Sequence, residues 1–233
     1  MCKTAVILAG GKGTRLRPYT VALPKPLVPL GDKPILEIII SQLVRQSFGR
    51  IIITVNHQAD IIMAYFGDGS KWGVEIEYSL EDMPLGTIGP LKLIKDLPDN
   101  FLVMNGDVLS DINYAAFLEK HSAADSNFSI AGYRRVQKVD YGVLDAAEGV
   151  LTGFREKPQF HFLVSMGIYA ASKQIIGYIP DYKYFGFDML MMELLKEEVE
   201  VTVYEHKGYW MDIGRPDDYG QAAEDIETGV FKY

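Results

Sequence analysis

The chain has one cysteine, Cys2, among its 233 residues. An internal disulfide and a thiolate metal cluster are both excluded, and the usage fits a reducing compartment. It has no long apolar run. The apolar stretch near the start runs from Ala5 to Gly10 and meets Lys12, too short for a secretory leader or a membrane span, so the expected location is the cytoplasm. It has fewer bases than acids, 23 against 31, for a net charge of −8. That balance argues against nucleic acid and against an anionic membrane as partners, because both need a broad positive field. With 11 prolines and 22 glycines, 48% hydrophobic and 23% charged residues, the chain is neither disordered nor fibrous. Its length suits one large domain spanning 1–233.

The charge is unevenly placed. Residues 1–33 hold Lys3, Lys12, Arg15, Arg17, Lys25 and Lys33 against Asp32, so this segment carries +5 and the remainder −13. Salt screens charges beyond roughly 8 Å, so an anion near the first loop feels the local excess. A small polyanion is the expected ligand.

Lys3 to Ala9 is a short apolar run ending at two glycines, which reads as a buried strand feeding a loop. Residues 10–33 place Gly or Pro at eight positions and fit no regular element; long loops in compact domains are usually functional. From Pro34, apolar residues recur at helical spacing, with the proline suited to the first turn. The pattern continues as strand Arg50–Val55, helix near Ala59–Phe66, strand Val74–Ser79, helix near Ile88–Lys95 and strand Phe101–Asn105. Such alternation predicts an α/β, Rossmann-like, predominantly parallel sheet with helices on both faces. After a helix at Asn113–His121, segments 127–133, 141–146, 150–155 and 164–171 are strand-like, predicting a mixed extension of the same sheet. A helix at Phe187–Leu195, a strand at Val199–Tyr204 and a helix from Pro216 complete the chain. Residues 1–112 form a nucleotide-type half and 113–233 an elaborated half.

The chemistry concentrates in Leu8-Ala9-Gly10-Gly11-Lys12-Gly13-Thr14-Arg15-Leu16-Arg17-Pro18. Glycines at 10, 11 and 13 let backbone N–H groups crowd an anion without Cβ interference. The loop is not a P-loop, since Gly11-Lys12 is followed by Gly13 rather than Ser or Thr. Nor is it the dinucleotide fingerprint, whose third glycine would stand where Leu16 does.

This stretch, with Pro24-Lys25-Pro26-Leu27 downstream, resembles the signature of the sugar-1-phosphate nucleotidylyltransferases. Further pieces agree in family order: Pro84-Leu85-Gly86-Thr87-Ile88-Gly89, Asn105-Gly106-Asp107, Glu156-Lys157-Pro158, Gly167-Ile168-Tyr169 and Trp210-Met211-Asp212-Ile213-Gly214-Arg215-Pro216. The resemblance covers nearly the whole chain. It implies that a sugar 1-phosphate oxygen attacks the α-phosphorus of a nucleoside triphosphate, expelling pyrophosphate and giving a nucleotide sugar.

The resemblance assigns Arg15 and Lys25 as the cations for the reacting phosphates, which suits a reaction dominated by fixed charge. It assigns Mg²⁺ as cofactor, held by Asp107 and Asp212; hard oxygen ligands suit that ion, although an Asp after a strand is often only a turn residue. Leu8, Gly10, Gly11, Gly13, Thr14, Glu81, Gly86 and Thr87 fall on the nucleotide side, Glu81 being equally readable as a solvated charge. Glu156, Lys157, Ser165 and Gly167 fall on the sugar-phosphate side, Glu156-Lys157 being equally readable as a surface ion pair. Ser165 departs from the asparagine of many relatives, and a hydroxyl reaches less far. The Pro84 to Leu91 stretch is similar to guanylyltransferases, so GTP with mannose or manno-heptose 1-phosphate is the first expected pair. Uridylyl, cytidylyl or thymidylyl transfer is the alternative, as is a silent nucleotide-sugar sensor. Asp188 is either a pocket residue or a helix-start charge. The four histidines lack metal spacing, and a homo-oligomer is an open expectation that no residue pattern specifies.

Overall fold

A computed structural model describes residues 2–233. The first half contains strands β1 (Lys3–Leu8), β2 (Pro29–Leu30), β3 (Lys33–Pro34), β4 (Phe48–Val55), β5 (Glu75–Leu80), β6 (Asn100–Asn105) and β7 (Val108–Ser110), with helices α1 (Ile35–Arg45) and α2 (Ala59–Phe66). The second half contains α3 (Tyr114–Ala123), β8 (Phe128–Lys138), β9 (Val143–Ala147), β10 (Val150–Arg155), β11 (Gln159–Ser172), α4 (Phe187–Lys196), β12 (Val201–His206), β13 (Trp210–Asp212) and α5 (Pro216–Glu227).

Seven strands form one sheet in the order β12-β8-β11-β6-β1-β4-β5. β1 pairs in parallel with both β4 and β6, β5 continues in parallel beyond β4, and β12 lies parallel to β8. β11 alone runs against its neighbours, antiparallel to β6 on one side and β8 on the other. The α/β class, the mostly parallel sheet and the mixed extension expected from the sequence are all present.

The period-2 alternation of each strand splits the core in two. Ala5 and Ile7 of β1, with Leu102 and Met104 of β6, face the layer of α1, α2, α3 and α5. Val6, Phe101 and Val103 face the opposite layer, built from α4 and two 3₁₀ segments. One of these segments corrects an expectation: Gly89–Leu93 is a 3₁₀ turn, not an α-helix over Ile88–Lys95. Pro90 has no N–H to donate, and the Ile88 and Gly89 amides bond across to the Phe185 carbonyl, both at 3.0 Å.

Two smaller differences have similar causes. Residues 10–33 are not wholly irregular: Thr14–Leu16 and Lys25–Leu27 are 3₁₀ turns, and β2 pairs with β3. Leu16, Leu27, Val28 and Leu30 are buried, so the loop is pinned by its own apolar side chains. Pro34 stands just before α1 as its cap rather than within the first turn. Among the described residues no helix is long and apolar enough to cross a membrane.

Candidate active site

The connections from β1 lead one way to β4, while β6 lies on its other side. Open α/β sheets bind ligands beyond the carboxyl ends of strands at such a reversal. There Leu8 is in register with Asn105, the Gly106 amide donates to the Leu8 carbonyl at 3.0 Å, and the Ala9 amide donates to Thr54 at 3.0 Å. The Glu81 amide donates to Val55 at 3.0 Å. The ends of four neighbouring strands thus deliver Gly10, Asn56, Glu81 and Asp107 to one rim.

They line a cleft of about 600 Å³ with Leu8, Gly11, Lys12, Arg15, Pro84, Gly86, Thr87, Asn105 and Tyr184. The glycines differ in what they require. A Cβ on Gly10 would fall 2.5 Å from Glu81 Oε1, whereas a Cβ on Gly11 would meet no protein atom within 4 Å. Gly11 therefore leaves room that none of the described residues fills. Gly86, at φ +84°, packs its Cα against the Phe185 backbone, where a Cβ would lie 2.8 Å from the carbonyl oxygen.

Gly13 and Thr14 do not line the cleft. Gly13, at φ +60°, supports the loop from behind: its Cα packs on Lys25 and Thr20, and its carbonyl accepts the Thr20 hydroxyl at 2.8 Å. Thr14 opens the exposed 3₁₀ turn that presents Arg15.

Lys25 is 9% exposed, and a lysine is almost never buried without a partner. Its ammonium donates to Asp107 Oδ2, while Asp107 Oδ1 is buried and accepts no hydrogen bond among the described residues. Asp212 is brought to the same place by β13, which pairs antiparallel with β7 so that Asp212 faces Val108, and the Ile213 amide donates to the Asp107 carbonyl at 3.0 Å. Asp212 keeps solvent on one side. Even so, the protein crowding its carboxyl raises its pKa first of all, and the Asp107 charge raises it further, against the lowering influence of Lys25 and Arg15. Two carboxylates and two cations from remote parts of the chain therefore share one electrostatic site. Among the described residues no cluster of three metal-binding side chains occurs; a magnesium ion needs only one or two carboxylates.

Glu81 is half-buried, its carboxyl pushed up by desolvation and partly lowered by the Leu85 amide, which donates to Oε2 at 3.2 Å. It faces the cleft rather than bulk solvent. Ser165 accepts the Gly167 amide at 3.3 Å and donates to the Tyr169 hydroxyl at 3.2 Å. Gly167, at φ +71°, lets Asn105 approach so closely that a Cβ would lie 2.6 Å from its amide nitrogen. Glu156 and Lys157 sit on the exposed turn between β10 and β11, and neither lines the cleft. Asp188 lies in the first turn of α4.

Arg15 also borders a second chamber, of about 380 Å³, with Tyr133, Arg135, Trp210, Met211, Asp212, Gly214, Arg215 and Asp218. Sequence reasoning carried neither Arg135 nor Arg215 as a site residue: strand geometry alone brings Arg135 to this chamber, whereas Arg215 lies inside the Trp210–Pro216 motif. Asn105, inside a motif already singled out, and Lys12, in the glycine loop, had a visible signal.

The family model described as nucleotidyl transferase matches residues 4–229. The chain belongs to this family. Among its relatives, a UTP--glucose-1-phosphate uridylyltransferase of Synechocystis sp. is 33% identical, aligned over 98% of this chain and 64% of that protein. A mannose-1-phosphate guanyltransferase of Saccharomyces cerevisiae is 32% identical over 92% of this chain and 62% of its own length. This nucleotidyl transferase chain thus spans less than two thirds of the curated relatives it matches. A crystal structure of HddC from Yersinia pseudotuberculosis, complexed with GMP-PN, superposes with a TM-score of 0.73 at 31% identity, covering 96% of this chain and 99% of that one.

Proposed function

We propose that this chain transfers a nucleotidyl group from a nucleoside triphosphate to a sugar 1-phosphate, giving a nucleotide sugar and pyrophosphate. The observation that carries the reading is the convergence of Arg15, Lys25, Asp107 and Asp212 beside a glycine-lined cleft. Little covalent chemistry is asked of a protein in phosphoryl transfer; positioning and fixed charge do most of the work.

The Gly10 and Gly11 backbone, with Lys12 and Arg15, supports the triphosphate tail. Arg15 offers a planar fork for phosphate oxygens, and Lys25 a point charge whose backbone is confined by Pro24 and Pro26. Glu81, Gly86 and Thr87 line the nucleobase end, and Ser165 and Gly167 lie toward the sugar. Asp107 and Asp212 suit Mg²⁺: both are hard oxygen donors, and the buried Oδ1 of Asp107 wants a partner. When bound, that ion would neutralise charge on the phosphate oxygens. Lys25 meanwhile donates to Asp107 Oδ2 and orients it, so the carboxylate is aimed before any ligand arrives.

GTP with mannose or manno-heptose 1-phosphate is the first pair to test, supported by the guanyltransferase relative and by the GMP-PN complex of HddC. The uridylyltransferase relative supports UTP with glucose 1-phosphate as the second reading. The test is a matrix of GTP, UTP, CTP, dTTP and ATP against several sugar 1-phosphates with Mg²⁺, scored by pyrophosphate release. One strongly preferred pair is expected. Product binding without pyrophosphate release in every cell would replace the enzyme by a sensor.

A further inference from the structure

β8 carries Tyr133, Arg134 and Arg135 in succession, and alternate residues of a strand point to opposite faces. Arg134 forms a bidentate pair with Glu205 of β12, at 3.1 and 2.9 Å. Tyr133 and Arg135 share the other face and line the second chamber. Its floor is aromatic: the Tyr133 and Trp210 rings lie 5.2 Å apart, and the Trp210 indole is fixed by donating to the Met166 carbonyl at 3.0 Å. Arg215 enters from the cap of α5, where its amide donates to Asp218 at 2.8 Å.

Arg50, Arg134 and Arg155 each hold a carboxylate. Among the described residues no carboxylate lies within ion-pair distance of Arg15, Arg135 or Arg215. These three guanidinium groups share one concave space with the carboxylates of Asp212 and Asp218, leaving an excess of positive charge, and each presents a fork of donors matched to phosphate or carboxylate.

Arg15 alone of the three also borders the nucleotide cleft, where Lys12 and Lys25 serve the same region. Arg135 and Arg215 are surplus to the reacting phosphates. A bare pyrophosphate has no use for an indole and a phenol beneath it, whereas the C–H face of a sugar ring does. The geometry points to an acceptor that carries a second anionic group besides its 1-phosphate, held by Arg135 and Arg215 while the ring rests on Tyr133 and Trp210. This inference rests on the function proposed above and narrows its substrate class.

The test is calorimetric binding of glucose 1-phosphate, glucose 1,6-bisphosphate and glucuronic acid 1-phosphate, with the mannose counterparts, to the full chain without nucleotide. The same panel is then run as acceptors in the pyrophosphate-release assay. In at least one sugar series the doubly anionic compound binds about tenfold more tightly than its monophosphate, one charge-assisted contact being worth roughly that much. Arg135→Gln and Arg215→Gln each remove that preference and leave monophosphate binding unchanged; Arg135→Lys restores part of it. The bisphosphate and the uronate distinguish phosphate from carboxylate as the second group. Both arginines are exposed, so unchanged thermal unfolding of the variants confirms that they fold. Equal binding of the singly and doubly charged sugars by the parent protein overturns the inference, even if transfer is observed. With inorganic pyrophosphate added to the binding panel, variants that lose affinity for it alone overturn the inference as well. A retained preference with no transfer in any assay leaves the anion site standing and removes the proposed reaction.

Discussion

Lys25 donates to one oxygen of Asp107 and leaves the other oxygen buried, with no hydrogen-bond partner among the described residues. The pair is thus half a site, with a carboxylate fixed on one side by the protein and open on the other to a ligand.

Lys25→Ala is expected to act on both activity and stability. Loss of one charge-stabilising donor lowers kcat by about 10²–10³. The Asp107 carboxylate, left unpaired, costs about 1–3 kcal/mol of stability. Arg15→Ala, at an exposed position with no ion pair to break, lowers kcat similarly without the stability loss. Steady-state rates with urea unfolding separate the two; equal stability losses in both variants would contradict the buried-pair account.

Asp212→Asn is expected to stabilise the ligand-free protein while removing activity. The Asp212 pKa is raised by crowding and by Asp107, so its ionised form is disfavoured in the fold at neutral pH. The resulting destabilisation disappears as pH falls through the raised value. Removing the charge should lift Tm by about 2–4 °C for each kcal/mol relieved. Added Mg²⁺ should raise the Tm of the parent protein more than that of the variant, which differential scanning calorimetry reads directly.

Gly10→Ala and Gly11→Ala should part company. At Gly10 the new methyl displaces Glu81, which the Leu85 amide holds, so nucleobase selectivity shifts. At Gly11 the methyl meets no protein atom, so Tm stays unchanged while KM for the triphosphate rises. Unaltered KM in Gly11→Ala would mean that no ligand approaches this backbone.

His121 sets a pH dependence away from the cleft. Ser126 donates to the Phe128 carbonyl, Thr202 donates to Ser126, Ser129 in turn donates to Thr202, and so the His121 Nδ1–H donates to Ser129 at 2.8 Å. This relay assigns the neutral tautomer and leaves Nε2 buried, with no partner among the described residues. Burial lowers the His121 pKa below its ordinary 6.5. The unfolded chain therefore binds the proton first, and stability is full above about pH 6.5 and falls below it, by up to about 1.4 kcal/mol per pH unit. Urea midpoints from pH 7.5 to 5.5 should show that slope, flattened in His121→Gln.

Most of the sheet was legible because strands such as Lys3–Leu8 and Asn100–Asn105 are buried on both faces and read as continuous apolar runs. The length of β11 was not. Its first residues include the apolar Phe160, Phe162 and Leu163, yet Phe162 and Leu163 stay exposed, so that part of the strand follows from pairing with β8 rather than from burial. In the site, Arg15, Lys25, Asp107 and Asp212 were readable from motifs, and their convergence followed the expected pattern. Arg135 was not readable, since its place in the chamber depends on which way β8 alternates, whereas Arg215 stood inside the Trp210–Pro216 motif with no role assigned to it. Gly13 was placed among the nucleotide residues, yet its positive φ serves the packing of Lys25 and Thr20; a glycine in a sequence does not say which side of a loop needs the space.

The three-residue ladder between β7 and β13 has a consequence for biogenesis. A ribosome releases the amino-terminal half first, so Asp107 and its lysine can be in place while Asp212 is still unsynthesised. Closing the ladder draws together points about a hundred residues apart, a chain-entropy cost that grows only slowly with loop length. Until Trp210–Asp212 docks, the nascent polypeptide therefore holds Asp107 without the second carboxylate that the finished fold sets beside it.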